Sequence, residues 1–288
     1  MLAVVIFDLS LTMINVALPT LAGDLGVSAS ELQWISGAYS LTVAAALLPA
    51  GLIGDRFGAK RPLITALLVL GTTALVCTQA TSPTHLIIGQ LVLGTAAGFI
   101  PALSLALVKT TFPEHELSRA LGVWYIGLTL GIPLGPVIGG YLTAQFGWPA
   151  LYLLTVPLVV LAAAMLARLL PTRGGSSAVH MDYRGSAPSI AGIVALVYGL
   201  TEAGQSGWGA PRVLIALGAW VVLLAGFVVW VRRADKPIID PTLFRSTPFR
   251  LGVALSTLVT FTLMGRCSPS RSTLRSSTMP TPWPPVCA

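Results

Sequence analysis

Residues 127–140 read GLTLGIPLGPVIGG. Gly127, Gly131, Gly135 and Gly139 recur every four residues, so on a helix they form one narrow face without side chains. Such a stripe lets a second backbone approach closely, which is how helices associate where lipid removes the hydrophobic driving force between them. Pro133 and Pro136 lie in the same stretch, and each removes a backbone donor. Interrupted helices of this kind occur where a helix bends or lines a protein-enclosed path. On spacing alone the stretch is either a tight packing face or a hinge and seal.

The chain around it is built for lipid. Of 288 residues, 55% are hydrophobic and 9% charged, and the mean hydropathy is +0.83. A soluble domain carries roughly 25% charged residues to cover its surface, so a water-soluble fold is excluded by composition. The apolar runs are long and continuous rather than alternating, which selects helices over a barrel. The reading is therefore an all-α integral membrane protein. A bilayer core of roughly 30 Å needs about 20 helical residues. On that ruler eight spans fall near 2–22, 34–54, 62–80, 84–108, 119–142, 150–170, 187–205 and 212–231, and a ninth opens near 249. The start does not read as a cleavable leader, because it lacks a basic region and Asp8 interrupts its apolar run.

The basic residues test this count. With the N-terminus in the cytoplasm, the inward loops hold Arg56, Lys60 and Arg61, then Lys109 and Arg119, then Arg168, Arg173 and Arg184. The loop after the eighth span adds Arg232, Arg233, Lys236, Arg245 and Arg250, which brings the inward total to 13 of 17. Only Arg212 falls outside, and three lie in the tail. That asymmetry sets the orientation and also explains the net charge of +7 without nucleic acid. The expected organisation is a six-helix transmembrane bundle at 1–170, a cytoplasmic linker at 171–186, two additional transmembrane helices at 187–232, a cytoplasmic loop at 233–248 and the start of a second bundle at 249–264. Residues 265–288 hold 13 Ser, Thr or Pro among 24 positions. Their onset inside an apolar run reads as a disordered or frame-shifted tail.

Polar groups inside apolar runs are the remaining candidates. Asp8 is either an ionisable group at depth, and so a functional candidate, or close enough to the chain start to reach the headgroups. Thr12 and Asn15 lie near one face of the first span, and Ser10 lies on another. Gln33 and Gln90 either hydrogen-bond in a central cavity or tie helices together. The turn GLIGDRFGAKRP, residues 51–62, places Asp55 among Arg56, Lys60 and Arg61, with Gly51 and Gly58 permitting a close turn. It is either a short basic loop or a latch whose carboxylate pairs in one conformation and parts in another. Trp34, Trp124, Trp148, Trp208 and Trp230 sit near span ends and read as interfacial anchors. His85, His115 and His180 are far apart and give no metal or nucleophile spacing. No acid, base and nucleophile fall at catalytic spacing, so an enzyme is not expected, and no cofactor is called for.

These motifs together resemble the major facilitator superfamily, in particular its fourteen-span drug:proton antiporter branch. The turn at 51–62 is similar to the superfamily signature between spans two and three through Gly51, Asp55, Arg56, Gly58 and Lys60, with Ala59 departing from it. GIPLGPVIGG is similar to the antiporter signature of span five through Gly131, Gly135, Pro136, Gly139 and Gly140. LTMINVALPTL at 11–21, GWGAP near 207 and PIIDPTLFRSTPFR at 237–250 resemble the same branch, so the likeness covers 1–264.

The resemblance implies an N-terminal six-helix bundle, two additional helices and part of a second bundle. It also implies substrate binding between bundles and export of drugs, antibiotics or amphiphilic metabolites driven by a proton gradient across the cell membrane. Asp55 would be the cytoplasmic latch and Gly135 with Pro136 the hinge or seal. Three departures bear on this. The family's first-span acid falls at Ser10, and Asp8 is about 200° away on a helix. Its span-four arginine falls at Gln90, with Leu93 for a glutamine. The patterns after span five read Trp148-Pro149-Ala150 and Thr155-Val156-Pro157. A non-transporting membrane remnant or assembly partner, and a uniporter or importer of a small metabolite, remain as alternatives. The partners expected are the bilayer and an amphiphilic small molecule, and the sequence does not fix an oligomeric state.

Overall fold

The structure is a computed structural model, and it describes residues 1–169, 183–233, 251–252, 254–255 and 258. Every element among them is an α-helix: α1 Leu2–Leu25, α2 Ala29–Phe57, α3 Lys60–Cys77, α4 Pro83–Thr111, α5 Glu114–Phe146, α6 Pro149–Leu169, α7 Tyr183–Ser206 and α8 Pro211–Arg233. Six of them, α1 to α6, are long and apolar enough to cross a membrane. In α7 and α8 the apolar segments are shorter, Pro188–Gly204 and Pro211–Phe227. The helices overrun the apolar runs read from the sequence because caps carry them past the hydrocarbon. Ser28 and Glu31 form a reciprocal capping box that starts α2 well before the run at 34. Ser82 caps α4 ahead of Pro83. Gly26 closes α1 in the left-handed conformation at φ 60°.

The chain divides into two compact units, Met1–Trp230 and Val231–Ala288. In the first, α1 packs along α5, while α2 and α3 both pack on α4, and α3 also packs on α6. Leu63, Leu67 and Leu70 of α3 meet Leu93 and Ile100 of α4 in one core with Leu151, Tyr152 and Val159 of α6. The outward faces are apolar as lipid requires; Val76 is 71% and Val137 68% exposed. Helix α7 begins at Tyr183, inside the stretch read as a 171–186 linker, and leans on α2. In the second unit the described positions 251–252, 254–255 and 258 are helical. Of the expected loop at 233–248 only Arg233 is described, as the end of α8, and the tail at 265–288 lies outside the described residues.

Two of the tryptophans read as anchors point inward instead. Trp124 is 6% exposed, and its indole Nε1 donates to Ser104 Oγ at 3.0 Å. Trp148 is equally buried and packs edge-on to Tyr152. Each finds a polar or aromatic partner inside the bundle, which offsets removal of the indole from the interface. Trp208 stays exposed, and Trp34 packs against Tyr198 of α7.

Candidate functional site

The glycine face of α5 is buried against α1 throughout. A methyl group on Gly127 would meet Met1, one on Gly131 would overlap the Asp8 side chain, and one on Gly135 would overlap Thr12 Oγ1. A Cβ on Gly139 would lie 3.3 Å from Met13 Cα, and one on Gly140 would lie 3.7 Å from Val16. The stripe read as packing face or hinge is therefore, at the least, a tight seam. Pro133 and Pro136 sit in it without ending the helix, which runs unbroken from Glu114 to Phe146.

Asp8 lies in this seam. It is 5% exposed, and its Oδ2 is buried with no hydrogen-bond partner. Asp8 therefore faces α5 inside the bundle and is covered by it. Tyr39 of α2 is its electrostatic neighbour, and the Tyr39 hydroxyl donates to the adjoining Phe7 carbonyl at 3.3 Å. Thr12 Oγ1 donates to Asp8 O at 2.8 Å and lies 3.4 Å from Gly131 O across the seam. Asn15 follows on the same side of α1, is exposed, and accepts from Ser36 Oγ at 2.7 Å. Positions 8, 12 and 15 stand at i, i+4 and i+7, so one polar stripe runs from a closed seam to an open face. An unpaired carboxylate in such a seam is expensive.

Ser10 and Gln90, the two positions at which the family's ionisable groups are missing, come together. Both line a cavity of about 20 Å³ with Tyr39, Tyr152 and Thr155. Gln90 is 1% exposed and donates from Nε2 to Tyr152 OH at 2.9 Å, so it ties α4 to α6. Ser10 Oγ is buried without a partner. Gln33 also ties helices, since its Nε2 donates to Thr201 O of α7 at 3.1 Å.

In the turn at 51–62 the charges separate. Asp55, Arg56 and Arg61 are exposed, and among the described residues no ion pair engages Asp55. Lys60 turns inward, 9% exposed, and donates to Ala167 O at 3.0 Å, where it satisfies a carbonyl in the last turn of α6. Gly58 adopts φ 81°, which closes α2 and lets α3 begin at Lys60. Gly51 has open space where a Cβ would stand, so close approach is not its role.

Sequence reasoning missed a second seam. Gly94 and Gly98 of α4 lie on the α2 backbone, against Tyr39 O and Val43 O, and Gly54 of α2 lies against Leu103. The signal was present in GTAAG at 94–98, a small-xxx-small pair.

The Major Facilitator Superfamily profile matches residues 1–274. Among curated relatives, the tetracenomycin C resistance and export protein of Streptomyces glaucescens is 30% identical over 91% of this chain and 49% of its own length. The methyl viologen resistance protein SmvA of Salmonella typhimurium is 32% identical over 88% of this chain and 52% of its own. The puromycin resistance protein pur8 of Streptomyces alboniger is 34% identical over 80% and 46%. The chain spans about half the length of the curated relatives it matches. Among solved structures, the peptide transporter POT in complex with sulfate superposes with a TM-score of 0.57 at 16% identity, over 81% of this chain and 52% of that one. At that identity the likeness is one of fold.

Proposed function

The chain belongs to the major facilitator superfamily, and we propose that it forms the N-terminal bundle of a proton-coupled exporter of amphiphilic compounds in the cell membrane. The observation that carries the proposal is Asp8, a buried carboxyl with an unpartnered oxygen in a glycine seam between two spans. Its support from relatives is that those covering most of this chain are named for export of, or resistance to, tetracenomycin C, methyl viologen and puromycin. In this reading α1–α6 form one bundle that faces a second, the α1–α5 seam opens and closes as the two rock against each other, and α7 and α8 join the first. The N-terminus lies in the cytoplasm, as the basic loops favour. Substrate meets the exposed Asn15 of α1 and the half-buried Ser36 of α2. Asp8 takes up a proton when the α1–α5 seam opens outward and releases it when the seam opens inward. Exposed Asp55 is the carboxylate of a cytoplasmic latch onto the second bundle, while Lys60 holds its turn to α6.

The test uses a full-length exporter that carries this chain as its first half. In everted vesicles an imposed pH gradient drives accumulation of an amphiphilic dye. Asp8→Asn expresses normally, because it removes a buried charge, and keeps dye exchange while losing at least ~100-fold of the gradient-driven rate. Gradient-driven accumulation at the parental rate in Asp8→Asn removes Asp8 from the coupling step. Asp55→Asn slows export roughly tenfold without changing stability, since its side chain is exposed; an unchanged rate disposes of the latch.

A further inference from the structure

The bundle carries a groove that the transport reading does not use. Helices α2 and α3 hardly touch beyond their shared turn, because each packs on α4 instead. Between them opens a cavity of about 720 Å³, floored by α4 and lined by Phe57, Arg61, Thr65, Val69, Val92 and Phe99, among others. From Arg61 to Val69 is eight residues of helix, or ~12 Å along the axis. Half a bilayer core is roughly 15 Å. The groove therefore runs from the membrane surface through most of one leaflet, to near the bilayer midplane.

Its polarity is sharply divided. Thr65 Oγ1 donates to Pro62 O at 2.8 Å, and Thr95 Oγ1 donates to Leu91 O at 2.7 Å. Both hydroxyls are spent on their own helices, so below Arg61 the groove offers only apolar surface to an occupant. At its mouth the charge is net positive. Arg61 is exposed in the first turn of α3, whose N-cap Ala59 provides no side-chain acceptor for the helix amides. Arg56 stands 5.4 Å over the ring of Phe57, itself 57% exposed on the groove. Asp55 is the one acid on the turn, and Lys60 is withdrawn to α6. A cation at the head of an apolar slot opposes a cationic amphiphile and complements an anionic one. Basic sites between spans at the cytoplasmic surface suit anionic lipid headgroups.

We propose that this groove is a binding site for one anionic glycerophospholipid of the cytoplasmic leaflet. Its acyl chain lies along Val69, Val92 and Phe99, and its phosphate sits at Arg61 and the start of α3. The lipid fills a gap that would otherwise leave α2 and α3 unsupported on that side, so its occupancy stabilises the turn that holds Asp55.

The full chain in detergent micelles tests this by titration with phosphatidylglycerol or phosphatidylcholine, reading bound lipid by native mass spectrometry and the unfolding midpoint by heating. Phosphatidylglycerol is expected to bind about fivefold tighter than phosphatidylcholine, the size of one basic residue's contribution near an anionic surface. It should also raise the midpoint more. Arg61→Gln should erase the preference, Arg61→Lys should restore most of it, and Arg212→Gln, at the far end of the molecule, should leave it intact. Filling the groove with Thr95→Phe should reduce binding of both lipids while the unliganded midpoint is kept. Equal affinity for the two lipids, or a preference that survives Arg61→Gln, overturns the proposal. A Thr95→Phe variant that binds phosphatidylglycerol as before also overturns it, because the headgroup would then be held outside the groove.

Discussion

The α1–α5 and α2–α4 seams are made of the same material and enclose different things. In both, glycines at four-residue spacing bring a second helix within reach of the backbone. Along α2–α4 the polar groups are satisfied locally: Thr42 Oγ1 donates to Ala38 O at 3.0 Å and stays within its own helix. Along α1–α5 the seam holds Asp8, whose Oδ2 has no partner. The glycines explain closeness in either case. Only the α1–α5 seam buries an ionisable group with an unpartnered oxygen. A glycine stripe is thus a packing device by default, and it becomes a candidate switch through what it buries.

The sharpest way to break this comparison is to add one methyl group to each seam. In Gly94→Ala the new Cβ overlaps the backbone oxygen of Tyr39, which cannot rotate away, so the helices must part. The cost should reach ~3 kcal/mol, the upper end for overpacking, and lower the folding equilibrium constant ~100-fold in thermal or SDS unfolding from micelles. Gly135→Ala meets a side chain instead, Thr12 Oγ1 and Cβ. Its cost should be nearer ~2 kcal/mol, and Thr12→Ala should return ~1 kcal/mol of it in a double-mutant cycle. Gly139→Ala, with its nearest atoms at 3.3 Å, should cost less than ~1 kcal/mol. If the three cost the same, the seams are not held by the close approaches described, and the distinction between them fails.

The span-five stripe was legible because a missing Cβ is a property of the residue itself, and its period alone fixes a face. Its partner was not legible, since a single sequence does not say which helix will lie on that face. The same limit hid the meeting of Ser10 with Gln90, eighty positions apart, in one cavity. Burial was the other blind spot. Asp8 read equally well as deep or superficial, and its cover by α5 was not legible in the sequence. Lys60 read as one of the latch residues at 51–62, and nothing in the sequence showed that its ammonium would reach Ala167 O. Trp124 and Trp148 followed the interfacial rule by position and broke it because Ser104 and Tyr152 stand within reach. Apolar runs and glycine period report on one helix at a time, whereas these roles depend on pairs.

The weakest expected effect asks where the cooperative body ends. Helix α7 joins the bundle through α2, by the Gln33 Nε2 bond to Thr201 O and the packing of Trp34 on Tyr198 at 5.7 Å between ring centroids. Neither contact resembles a glycine seam, since side chains rather than backbones meet. Hydrogen bonds between membrane helices average ~0.6 kcal/mol, because in lipid the separated groups find other partners. Gln33→Ala should therefore move the main unfolding transition by no more than about that amount, while hydrogen exchange along α7 quickens about threefold and exchange in α1–α6 is unchanged. A loss approaching that of Gly94→Ala would mean that α7 folds as part of the six-helix body. The two additional helices would then be structural members of the first bundle, and the contrast between backbone seams and side-chain ties would not mark the boundary of the moving unit.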